Sequence, residues 1–262
     1  MTTDQTPSRV LAVMAHPDDI EFMAGGVLAK WARAGAELHF LLLTDGESGS
    51  RDPAMTREAL VDLRRDEQRA AAAVLGAAGV GFLGLPDGRL VASLELRLAI
   101  ARAIRQVRPD AVITSDPRFY YSDDYINHAD HRAAGEATLA AVMPLANTRL
   151  AAPELLAEGL EPHDVAEVYL AAPDQANCWV PLDEEDVATQ LAALRAHASQ
   201  VGEWDFEPMV RQFLRGAAEQ ARANGVACEL AEGFRLIRLY RPEPASAPLG
   251  ADLDAAEQGG RD

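Results

Sequence analysis

Cysteine is nearly absent: the 262-residue chain has two, Cys178 and Cys228. They are too few and too far apart for a disulfide framework or a Cys-rich zinc site, so a reducing compartment is the simpler expectation. No apolar run approaches the ~20 residues that span a bilayer. Residues 1–8 are polar and lead straight into the first apolar run, with no sign of a signal peptide, so the expected location is the cytoplasm. Positive charge is also in short supply. Lys and Arg number 24 against 41 Asp and Glu, a net charge of −17. Such a surface repels phosphate backbones and anionic lipid, which argues against nucleic acid or a membrane as the main partner. Internal repeats and a recognisable linker are missing, and Gly25-Gly26 has the wrong spacing for a dinucleotide fingerprint.

What is there reads as a folded α/β chain. Apolar residues make up 48% and charged residues 25%, ordinary values for a globular protein, and the length suits one large domain or two small ones. Short apolar runs at 10–14, 38–43, 80–85, 111–114 and 166–170 have the composition of strands, buried on both faces in the first two. Between and after them, helical patterns cover 22–34, 56–75, 94–107, 129–143, 184–198 and 209–224, the first two closed by Gly35 and Gly76. Residues 234–240 alternate as a late strand suited to a sheet edge. The alternation predicts a three-layer α/β/α, Rossmann-like sheet, mostly parallel, with helices on both faces. Residues 1–240 are expected to form a single domain. Residues 241–262, rich in Pro, Ala, Gly and Asp, are expected to form a disordered tail.

In such sheets ligands bind beyond the carboxyl ends of the strands. His16-Pro17-Asp18-Asp19 follows the first strand, and His128-Ala129-Asp130-His131 follows the fourth and its irregular loop. Three of the six histidines lie in these clusters, each beside carboxylates, and histidine with carboxylate is the ligand set of a catalytic zinc site with an open position. His16 and Asp19 are three apart across a turn into a helix; His128 and His131 are three apart at a helix start, on one face. If the two strand ends adjoin, His16, Asp19 and His131 can hold one ion from three directions. Either cluster alone has an ordinary explanation in turn and helix-cap chemistry; both together, at two strand exits, favour a metal site. Of the remaining histidines, His39 is read as a structural strand residue and His163 as a solvent-exposed one. His197 is read as a partner for a helix C-terminal dipole.

The stretch Ala12-Val13-Met14-Ala15-His16-Pro17-Asp18-Asp19-Ile20-Glu21, with Gly25-Gly26 after it, resembles the opening of the LmbE/PIG-L family of zinc-dependent de-N-acetylases. His128-Ala129-Asp130-His131-Arg132 resembles that family's second motif, usually His-Pro-Asp-His. Leu43-Thr44-Asp45-Gly46, Arg64-Arg65-Asp66-Glu67, Leu75-Gly76, Leu85-Pro86-Asp87-Gly88 and His197-Ala198-Ser199-Gln200 extend the likeness across residues 9–240. There are departures. Ala129 replaces the usual proline, Ile20 stands where many members are acidic, and Ile126 stands where some carry tyrosine, which leaves Tyr121 or Tyr125 to supply a hydroxyl.

The resemblance implies that His16, Asp19 and His131 hold a metal, Zn²⁺ or Fe²⁺, since two histidines and a carboxylate suit both. Asp18 is then the general base on water, and His128, as imidazolium, stabilises the oxyanion or protonates the leaving amine. Asp130 orients His128 or a ligand histidine, with service to first-turn amides as the plainer alternative. Arg64 and Asp87 match positions that contact sugar hydroxyls. Their alternatives are a surface pairing of Arg64 with Asp66 or Glu67 and a turn role for Asp87. Tyr120, Tyr121 and Tyr125 form a sugar-stacking wall or anchor their loop, and 46–53 and 119–126 are candidate lids. The implied activity is removal of the N-acetyl group from an N-acetylated amino sugar or amino-sugar conjugate, releasing acetate and free amine. An amidase for a larger acyl group and a non-catalytic sugar-binding protein are the alternatives; sensing would need neither Asp18 nor His128. The implied partner is a small-molecule amino sugar, with assembly into a homo-oligomer left open.

Overall fold

The computed structural model describes residues 6–239; the tail expected over 241–262 lies outside the described residues. Five parallel strands form most of the sheet: β1 (Arg9–Met14), β2 (Glu37–Thr44), β3 (Gly79–Leu85), β4 (Ala111–Ser115) and β5 (Glu167–Ala171). β6 (Cys178–Leu182) and β7 (Leu230–Arg238) complete the order β3-β2-β1-β4-β5-β7-β6, with β7 antiparallel to both neighbours. The helices are α1 (Asp19–Arg33), α2 (Arg57–Val74), α3 (Leu94–Val107), α4 (Ala129–Ala140), α5 (Pro153–Ala157), α6 (Glu184–Arg195), α7 (Ala198–Val201) and α8 (Glu207–Ala223).

Alternation along β1 explains the three layers. Val10, Ala12 and Met14 enter one core with residues of α1, α6 and α8, while Leu11 and Val13 enter a second with residues of α3 and α4. A strand covered on both faces reads as a continuous apolar run, as this one does. β1 lies between β2 and β4, so the connections leave it in opposite directions across the sheet. At such a point a crevice opens beyond the carboxyl ends of the two central strands.

Several elements differ from their sequence reading. The late strand expected over 234–240 is β7, which begins at Leu230 and lies inside the sheet between β5 and β6 rather than at an edge. β6 takes the edge; it went unread because it is short and carries Pro181, a residue tolerated at edges. α1 begins at Asp19 rather than residue 22, and the helix expected to 198 stops at Arg195, with α7 separate. His163 is half-buried, its Nε2 2.7 Å from the Pro109 carbonyl, rather than solvent-exposed.

One contact ties the last strand to the first helix. Glu232 of β7 accepts from the backbone N–H groups of Gly26 and Val27, at 2.9 and 2.8 Å, within α1. Gln190 Nε2 donates to the Glu21 carbonyl at 2.9 Å and to Glu232 at 3.1 Å. A Cβ on Gly25 would meet Gln190 Cγ at 2.8 Å, and one on Gly26 would meet Leu182 Cδ1 at 2.5 Å. The paired glycines are therefore the opening through which these side chains reach the helix backbone.

Burial pushes the Glu232 carboxyl up to about 7, against the opposing pull of its hydrogen-bond donors. The folded chain thus binds this proton more tightly than the unfolded chain. Its contribution to stability is fully present below the ordinary value of 4.5 and is lost as pH rises through about 7. The melting temperature of the wild type is expected to fall across that interval more steeply than that of Glu232→Gln. Parallel slopes in a calorimetric pH series would remove Glu232 as the cause.

Candidate active site and metal centre

The crevice gathers residues that are far apart in sequence. His16 and Asp18 follow β1, and Asp19 opens α1. Its Oδ2 accepts from the His16 backbone N–H at 2.9 Å and lies 3.2 Å from His16 Nδ1. Its other oxygen lies 3.1 Å from Nε2 of His131, in the first turn of α4. Asp19 therefore bridges the two clusters. The rings of His16, His128 and His131 lie 4.7–5.4 Å apart, and one ring nitrogen from each falls within 4.8 Å of the others.

Two more carboxylates lie behind His16. Its Nε2 is 3.1 Å from Asp87 and 3.5 Å from Asp130. Asp87, in the turn after β3, also accepts from the Ser48 N–H at 3.0 Å. Asp130 is fully buried and accepts from the N–H groups of Gly88 and Leu90, at 2.7 and 3.1 Å. Each tethers a loop while orienting one imidazole. On the far side, His131 Nδ1 lies 3.0 Å from Asn127 Oδ1, a partner the sequence reading missed although it immediately precedes the second motif.

The electrostatics explain what this cage suits. Burial penalises charge on His16, yet Asp19, Asp130 and Asp87 outweigh it and push its pKa up to about 12. Three carboxylates around one buried imidazole form a site that favours positive charge, which a bound cation would supply in place of the ring's proton. Ring nitrogens of His16, His128 and His131 converge, as do His16, Asp87 and Asp130, and Asp19 touches two of the imidazoles, so the donors fit a divalent transition metal.

Asp18 is placed differently. Its backbone is left-handed, with φ 93°, and it is not glycine. Such a conformation costs about 1–3 kcal/mol and persists where the surroundings over-determine it. The surroundings here are residues of α2. Arg64, 4% exposed, donates to Asp18 Oδ2 at 3.0 Å, to the Gly46 carbonyl at 2.9 Å and to the Pro17 carbonyl. Gly46 has φ 65°, and a Cβ there would lie 2.0 Å from Arg64 Nη1, so the guanidinium needs glycine in that loop. Burial raises the Asp18 carboxyl to about 7 while Arg64 pulls it down.

The structure thus brings His16, Asp18, Asp19, His128, Asp130, His131 and Asp87 into one crevice, with Arg64 behind Asp18. Arg64 pairs with neither Asp66, which holds Arg69, nor Glu67, which holds Ser199. His128 is exposed, and its Nδ1 accepts from the Asp130 N–H at 3.2 Å. With Nδ1 accepting, Nε2 is the nitrogen that can donate; partial burial and the charge on His16 lower the pKa of the ring.

The family profile of GlcNAc-PI de-N-acetylases, PIG-L, matches residues 11–142, which include every one of these residues. A diacetylchitobiose deacetylase of Thermococcus kodakarensis is 32% identical over 87% of this chain and 83% of its own. The chain belongs to the PIG-L family. Among solved structures, the N,N'-diacetylchitobiose deacetylase of Pyrococcus horikoshii superposes with a TM-score of 0.80 at 27% identity, covering 88% of this chain and 84% of that one. PIG-L relatives are not confined to deacetylases. GalB, a 4-carboxy-2-hydroxymuconate hydratase of Pseudomonas putida, superposes with a TM-score of 0.72 at 25% identity over 90% of this chain and 99% of its own. The PIG-L site here is a His/Asp cluster with the donors of a metal centre. Among the described residues no helix is long and apolar enough to cross a membrane.

Proposed function

We infer that this chain is a metal-dependent N-deacetylase that hydrolyses the acetamide of an N-acetylated amino sugar or amino-sugar conjugate to acetate and free amine. The observation that carries the reading is the placement of Asp18, beside but outside the His16–Asp19–His131 donor set, in a chain of this family. His16, Asp19 and His131 are the residues that would hold the ion. A divalent ion bound there, Zn²⁺ or Fe²⁺, supplies Lewis-acid polarisation of the amide carbonyl and makes water more acidic.

Asp18 takes the proton of the attacking water as its oxygen adds to the acetyl carbon. The Nε2–H of His128 donates to the carbonyl oxygen as negative charge develops on it. The C–N bond then breaks, and the proton held by Asp18 goes to the departing nitrogen. Asp87 and Asp130 fix the orientation of His16. Arg64 steadies Asp18, and Arg64 and Asp87 are the side chains proposed to meet sugar hydroxyls. Residues 1–240 act as one domain, in the cytoplasm, on a small-molecule sugar.

The test is direct. Protein reconstituted with Zn²⁺ or Fe²⁺ is incubated with N-acetylglucosamine, diacetylchitobiose and N-acetylglucosaminyl-inositol, and acetate and primary amine are measured together. Equimolar release of both supports the reading. Release only from longer N-acyl analogues would make it an amidase. Inertness toward every amide together with hydration of 4-carboxy-2-hydroxymuconate would overturn it.

A further inference from the structure

The residues that hold Asp18 in its left-handed conformation form a chain that the reaction itself does not account for. α2 presents Arg64, Glu67 and Gln68 on one face, at the i, i+3 and i+4 spacing of helical neighbours. All three are buried. Gln68 Oε1 accepts the backbone N–H of Asp18 at 3.1 Å, and its Nε2 donates to Glu21 Oε1 at 2.7 Å. These two partners leave the amide one orientation: a carboxylate on one side must meet the NH₂, so the oxygen faces the Asp18 N–H. The other oxygen of Glu21 lies 3.2 Å from Nε2 of His197, and both side chains are completely buried.

His197 immediately precedes α7, in the segment His197-Ala198-Ser199-Gln200. It is not the helix-dipole partner its sequence position suggests, because its ring faces Glu21 of α1. Glu67 clamps the same segment, accepting from both the N–H and the hydroxyl of Ser199 at 2.6 Å. The face of α2 thus grips this segment through Glu67 and the turn before α1 through Arg64 and Gln68.

We propose that Gln68 is a positioning residue for Asp18, its amide held in register by Glu21 and His197. This rests on Asp18 being the general base. The chain acts on the backbone of Asp18 and leaves the ligand Asp19 with its own partners, so its loss separates catalysis from metal binding. A group displaced by about an ångström can lose on the order of 10²-fold in rate.

The experiment compares Gln68→Met, which removes donor and acceptor, with Gln68→Glu, which keeps an acceptor for the Asp18 N–H. In the metal-loaded enzyme, Gln68→Met is expected to lower kcat by about 10–100-fold with KM within about twofold of wild type and metal content unchanged. Gln68→Glu, which sets a carboxylate against that of Glu21, is expected to recover only part of kcat, and the exchange pair Gln68→Glu with Glu21→Gln, which restores a donor opposite it, most of kcat. A parallel pair, His197→Phe and His197→Gln, is expected to show a smaller loss and its recovery, and it decides the matter if Gln68→Met does not fold. Hydrogen exchange at the Asp18 amide is the readout independent of turnover: protected in wild type, open in Gln68→Met. A wild-type kcat in the methionine and phenylalanine variants, or an Asp18 amide equally protected in all of them, overturns the proposal. If wild type releases no amine at all, the deacetylase reading fails and the exchange measurement alone settles the role of Gln68.

Discussion

Asp18→Asn is expected to lower kcat by about 10²–10⁴-fold, the range for loss of a positioned general base, while metal content stays at the wild-type level. Asparagine is the substitution to use because, with aspartate, it is among the few residues other than glycine that enter the left-handed region readily. Alanine at φ 93° would add backbone strain to the loss of the carboxylate and confuse the two. An Oδ1 remains to accept from Arg64, which donates to Asp18 Oδ2 at 3.0 Å in the wild type, so the guanidinium keeps a partner. What is lost is the capacity to take a proton, together with the charge that faced Arg64. The measurement is steady-state amine release paired with elemental analysis of the same samples. An asparagine variant within a fewfold of wild type, at full metal occupancy, would remove Asp18 from the mechanism and leave water activation to another group.

Asp19→Ala and His131→Ala are expected to lose metal and activity together, by more than about 10³-fold in kcat/KM. The reason lies in the bridging position of Asp19, 3.2 Å from His16 Nδ1 and 3.1 Å from His131 Nε2. Removing it takes away one donor and lets the two imidazoles drift apart. Asp130→Asn and Asp87→Asn, by contrast, leave all three donors and alter only how firmly His16 is held. For such outer partners a 10–100-fold loss of metal affinity is typical. The ordering is the test: competitive titration with a chelator should rank wild type above the Asp87 and Asp130 variants, and those above Asp19→Ala and His131→Ala. An Asp19→Ala protein that keeps stoichiometric metal would mean that the ion sits elsewhere in the cluster, on His16, His128 and His131 or on His16, Asp87 and Asp130.

Much of this architecture was legible from local pattern. The parallel half of the sheet announced itself because β1 and β2 are covered on both faces, which writes burial into the sequence as unbroken apolar runs. The two clusters were legible because strand exits in such sheets are where side chains meet in the crevice. The convergence of His16, Asp19 and His131 is a matter of strand order, and strand order follows from packing over the whole chain. The antiparallel end was less readable. β6 is five residues long with a proline, and only its pairing with β7 defines it. The supporting polar residues were hidden for another reason. Gln68, Glu21, Asn127 and Glu232 look like ordinary surface residues of helices, loops and strands, and only burial distinguishes them. His197 illustrates the limit: its place at the end of a helix suggested a dipole partner, whereas tertiary packing turned it inward onto Glu21.

The hydrogen bonds from Gly26 and Val27 to Glu232 join residues 206 and 205 positions apart. All the proposed ligands lie in the first 131 residues, yet the helix that begins with Asp19 receives its internal carboxylate only from the final strand. During synthesis from the N-terminus, the ligand-bearing segments leave the ribosome long before β7 does, and contacts of such long separation form late. The helix that opens with Asp19 is therefore completed only after β7 has emerged, 206 residues beyond Gly26, so the proposed centre rests on a contact that must wait for most of a domain to be made.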